Sequence, residues 1–212
     1  MKKVIYGAFL VLAASCCVSL AAPEPAIVQA AGNWTVDVTF EHPQRISAKP
    51  AGRAKAKMFW YTILTLTNKT GRDVEFYPKC ELMTDTFEII PAGKGVSARL
   101  LKQIKRRHRR TYPFLESVNE AGNRILQGDD NAKDVVIIWP DFDRKANRID
   151  LYIAGLSNET VVVEHPTEKD RSGKPAKVYL RKTLDVSYSL ASDGVPRSTV
   201  RLNYEGKRWV MR

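Results

Sequence analysis

The sequence predicts a mainly β protein: an antiparallel β-sandwich with one short basic helical insertion. Three observations lead there. Short segments rich in β-branched and aromatic residues recur along the chain. Clusters of Gly, Pro, Asn and Asp separate most of them, as turns require. One stretch alone, near residue 100, carries apolar residues at helical spacing. With 212 residues, 44% hydrophobic and 27% charged, the chain can build one good core, which excludes disorder throughout. Its only long apolar run lies at the N-terminus, which excludes a polytopic membrane protein.

The elements follow in order. Residues 34–40 alternate apolar and polar, as a half-buried strand does. Residues 58–67 (MFWYTILTLT) are β-branched or aromatic almost throughout and predict a central strand buried on both faces. A turn over 68–73 leads to a strand at 74–77. Further strands are expected at 86–90, 124–127, 135–139, 148–154, 160–164, 178–190, 198–204 and 208–211, with turns at 91–93, 128–130, 192–194 and 205–207. Val96, Leu100, Leu101 and Ile104 predict the helix. It should stop before Tyr112-Pro113, because proline disfavours helical backbone at the residue ahead of it.

The N-terminus has the grammar of an export signal. Lys2 and Lys3 precede eleven uncharged residues (4–14), too few to cross a hydrocarbon core of roughly 30 Å, and small residues follow. Two cleavages compete. One falls before Ala22 and gives a signal peptide over 1–21. The other follows residue 15, where LAASC resembles a bacterial lipobox and makes Cys16 a lipidation candidate, although Ala13 stands where leucine is usual. An Ala/Pro-rich tether is expected at 22–32 and a single β-sandwich domain at 33–212.

Charge is concentrated. The chain carries 34 Lys and Arg against 23 Asp and Glu, a formal net charge of +11. Loss of Lys2 and Lys3 with the leader leaves nine excess charges. Seven cations with no acid among them fall between residues 99 and 110: Arg99, Lys102, Lys105, Arg106, Arg107, Arg109 and Arg110. Such a run is either a solvated helix face or the footprint of an anionic partner. Five of the seven are Arg, which pairs bidentately with carboxylate and phosphate. Lipid head groups, an anionic envelope polymer or another envelope protein are the expected partners, and membrane contact otherwise needs the lipid anchor. Nucleic acid is disfavoured by the export signal and by the lack of a base-stacking motif. A second acid-free stretch, 45–57, carries Arg45, Lys49, Arg53, Lys55 and Lys57.

Catalytic and metal motifs are absent from the pattern. His42, His108 and His165 are too far apart to pair at ligand spacing. Asp141, Asp143, Asn147 and Asp150 suggest an oxygen-rich loop, but Lys145 and Ala146 stand where a calcium loop wants an oxygen ligand and glycine. Residues 155–159 lack the second glycine of a nucleophile elbow. Cys80 has no evident activating base and reads as buried and inert. No cofactor is expected.

The leader and the phrase YTILTLTNKTGRDVEFYP (61–78) resemble uncharacterised exported bacterial proteins with immunoglobulin-like β-sandwich domains. The resemblance implies a fold class and no activity. The expectation is a non-catalytic, extracytoplasmic binding or structural module of the cell envelope, secreted, periplasmic or lipid-anchored. The alternative is an exported hydrolase whose residues are scattered through the sequence.

Overall fold

The computed structural model describes residues 26–28 (backbone only), 32–49, 55–190 and 200–212. The leader, its two cleavage sites, Cys16 and the turn expected at 192–194 lie outside them. In chain order the elements are β1 (Ala26–Val28), β2 (Asp37–Phe40), β3 (Gln44–Ala48), β4 (Lys57–Asn68), β5 (Val74–Glu75), β6 (Lys79–Thr84) and β7 (Ile89–Pro91). Then come α1 (Ala98–His108), β8 (Glu116–Ser117), β9 (Arg124–Ile125), β10 (Gly128–Pro140), β11 (Arg148–Ala154), β12 (Thr160–Lys169), β13 (Pro175–Leu190) and β14 (Leu202–Met211). The fold is mainly β with antiparallel sheets, as expected. The one parallel strand pair among the described residues joins β10 to the two-residue β8, and an isolated parallel bridge links Asn68 to Gln127.

Two sheets face each other across the main core. One has seven strands in the order β1-β12-β13-β11-β6-β7, with β14 also paired to β13; the other has five in the order β2-β4-β10-β8, with β3 also on β4. β4 is the central strand that its composition predicted. Trp60, Leu64 and Leu66 point into the main core with Val135, Ile137 and Trp139 of β10, while Cys80, Leu82, Leu151, Ile153, Leu184 and Val186 come from the opposite sheet. The alternate residues Phe59, Tyr61 and Ile63, with Val136 and Ile138, form a second cluster on the outer face of the five-stranded sheet. Period two therefore supplies apolar side chains to both faces of one strand.

α1 covers that outer face. Leu100 and Ile104, one turn apart, are both fully buried in the second cluster, with Val96, Leu101 and Tyr112 at its margin. Each buried side chain of this size is worth about 1.5–3 kcal/mol. Ser97 caps the helix, its Oγ accepting from the Leu100 amide at 3.3 Å. The helix ends four residues before Tyr112, where the amides of Thr111 and Tyr112 both reach the His108 carbonyl, at 3.0 and 2.8 Å.

Several expected boundaries move. The strand expected at 86–90 is a hairpin tip followed by β7, and its partner β6 lies in a segment not predicted as a strand. The apolar letters Phe87 and Ile89 imitate a strand, but Phe87 sits at the tip with φ +64°, 84% exposed. Residues 128–130, turn-like by chemistry, extend β10 across a register shift between Gly128 and Lys133. Glu205 and Gly206 form a bulge opposite Ser187 and Tyr188 within the continuous β14, so 202–211 is one strand where two about a turn were expected; residues 198 and 199 of the expected strand lie outside the described residues. The expected tether contributes β1, which pairs with β12. β3 went unpredicted because only Ile46 of its five residues is fully buried.

Candidate functional site

Helix rotation decides where each cation of the basic run goes. With Leu100 and Ile104 turned to the sheet, Arg99, Lys102, Lys105, Arg106 and Arg109 come together with Gln103 and Pro113 around an open groove of about 720 Å³. Among the described residues no carboxylate lines it. Among the described residues, none of these five cations forms an ion pair. Lys105, Arg106 and Arg107 also lie in the last helical turn, where the helix dipole favours positive charge.

The other two cations separate from the five. Arg107 turns towards the sheet, where its Nη1 donates to the Tyr61 hydroxyl at 3.2 Å and to the Arg45 carbonyl at 3.4 Å. Arg110 is exposed beyond the helix end, outside the groove lining.

Beneath the last turn lies a polar network that the sequence did not reveal. The Tyr61 hydroxyl, on a fully buried residue of β4, donates to Gln44 Oε1 at 2.8 Å and lies 2.9 Å from His108 Nε2. With the phenol proton given to Gln44, the imidazole is the donor to the phenol oxygen. Burial, then the neighbouring Arg107, lower the His108 pKa, against an opposing pull from Glu41. Tyr112 donates to Glu41 Oε1 at 2.7 Å, and burial with that bond pushes its phenol up to about 12. Gln44, Glu41, Tyr61 and Tyr112 thus hold the C-terminal end of α1 to the sheet.

The residues weighed for chemistry stay apart. His42 packs among Phe40, Tyr188 and Tyr204, with its Nδ1 3.1 Å from the Tyr188 hydroxyl. His165 Nδ1 accepts from the amides of Thr167 and Glu168 on the β12–β13 arm. Asp141 Oδ1 accepts from Trp60 Nε1 at 2.8 Å, and Asp143 Oδ1 from the Lys145 amide at 3.0 Å. Asp150 is paired with Arg148 at 3.0 Å on β11. Among the described residues no group of three His, Cys, Asp or Glu is placed to hold a metal. Cys80 is buried in the main core, and burial pushes its thiol up to about 12. No described helix is long and apolar enough to cross a membrane.

Comparison with family models, curated proteins and solved structures found no match to this chain.

Proposed function

We propose that this chain is a non-catalytic binding module of the cell envelope, exported by its N-terminal leader, and that it contacts an anionic partner through the solvent face of α1. One observation carries the reading: five cations line one acid-free groove, and none is ion-paired among the described residues. A basic helix face serving only solubility would scatter its charge and intersperse acids. A concave, single-sign surface instead concentrates counter-ions and the anionic groups that displace them. The part-buried anchor beneath it, Tyr61 with Arg107 and His108, ties the helix end that carries the groove to β4.

The test is binding of the purified mature chain to heparin, used as a generic polyanion, across a salt series. Five released counter-ions imply a loss of affinity of roughly a hundredfold between about 50 and 200 mM salt. Binding that ignores salt, or no binding at the lowest salt, contradicts the reading.

A further inference from the structure

The most exposed aromatic side chain beside the groove suggests which anionic partner it meets. Pro113 lines the cationic groove, and Phe114, the next residue, is 85% exposed. Phe114 shares a neighbouring depression with Leu126, itself 47% exposed. The charges around that depression offset one another, Arg124 and Lys133 against Glu116 and Asp134. Phe114 and Leu126 therefore share a lining whose four charges cancel. Nothing in the core needs Phe114, and a soluble polyanion gains nothing from it.

We infer, resting on the reading of α1 as an anion-binding face, that the partner is an anionic phospholipid bilayer and that Phe114 inserts into its interface. Cations flanking a protruding aromatic are the composition of a surface that lies on a membrane without spanning it. The charges draw the surface to acidic head groups, and the ring enters the boundary between head groups and acyl chains. Arg99, Lys102, Lys105, Arg106 and Arg109 supply the first part and Phe114, with Leu126 beside it, the second.

The experiment compares the mature chain with Phe114→Ala and Phe114→Leu on three probes: vesicles containing phosphatidylglycerol, vesicles of phosphatidylcholine alone, and heparin. Because Phe114 is so exposed, both variants keep the fold. The expected result is binding to the anionic vesicles and to heparin but not to the neutral vesicles. Phe114→Ala should weaken binding to the anionic vesicles roughly tenfold, Phe114→Leu should restore most of it, and heparin binding should not change. Equal vesicle binding by Phe114→Ala, or heparin binding without vesicle binding, overturns insertion while leaving the anionic contact intact. Failure to bind either anionic probe overturns the anionic contact itself.

Discussion

His108 Nε2 lies 2.9 Å from the Tyr61 hydroxyl, joining the last turn of the only helix among the described residues to the central strand of the five-stranded sheet. The pair is separated by 47 positions. It explains how a helix so rich in cations stays docked: two apolar side chains are buried at its start and middle, and a hydrogen-bonded phenol fixes its end.

Removing that phenol oxygen should loosen the helix. Tyr61→Phe takes one partner from each of Gln44, Arg107 and His108 at a part-buried site, and the expected cost is about 0.5–1.5 kcal/mol. Denaturant unfolding measures it. Amide exchange should accelerate in residues 105–108 more than in the β11–β13 pairing. An unchanged midpoint would contradict the anchoring role.

The same network sets a pH dependence. The folded pKa of His108 lies below its ordinary value of 6.5. The unfolded chain therefore binds more protons between those two values. The stability contributed by neutral His108 is complete above about 6.5 and is lost as pH falls through the depressed folded pKa. Arg107 and Glu41 act on the ring with opposite signs. His108→Gln should flatten this part of the stability profile, as urea midpoints across the acid range will show.

Phe87 offers the opposite sign of effect. It is the one non-glycine residue with positive φ among the described residues, and its side chain is almost fully solvated. Phe87→Gly removes the steric cost of that backbone conformation with little packing lost, so the unfolding free energy should rise by about 1 kcal/mol. A loss of stability would mean that the exposed ring packs on something in solution.

Cys80 should be silent. Buried in the main core, with a thiol pushed up to about 12, it will not react with Ellman's reagent at neutral pH until denaturant is added. Rapid reaction of the native protein would place the thiol at an accessible site and revive a catalytic reading.

The sequence reading succeeded where one local pattern outweighed everything else. The run 58–67 needed no context to read as a central strand, and 148–154 matched β11 at both ends. It failed where chemistry and geometry diverge. Gly128-Asp129-Asp130 and Glu205-Gly206-Lys207 have turn composition but occupy irregular stretches of long strands, because bulges and turns draw on the same residues. Phe87 shows the reverse, an apolar residue at a tip. For the site, the cations were visible, and the Leu100 and Ile104 spacing sets which of them share a face. The partners beneath were not, since Gln44, Glu41 and Tyr61 reach α1 only through the pairing of β3 and β4 and the cover the helix lays over them. Phe114 carries no periodic signal at all.

The anionic contact is tested most directly by two variants with the same change in net charge. One reverses Arg99, Lys102, Arg106 and Arg109 to Glu in the groove. The other reverses Lys169, Arg171, Lys174 and Lys177 to Glu on the exposed β12–β13 arm. Once circular dichroism shows that both are folded, each is titrated with heparin and with phosphatidylglycerol vesicles at low salt. A binding site in the groove predicts that the groove variant loses binding while the arm variant keeps most of it. Equal loss in both would mean that net charge alone draws the anion, and equal retention would mean that α1 touches none; either contradicts a binding site in the groove.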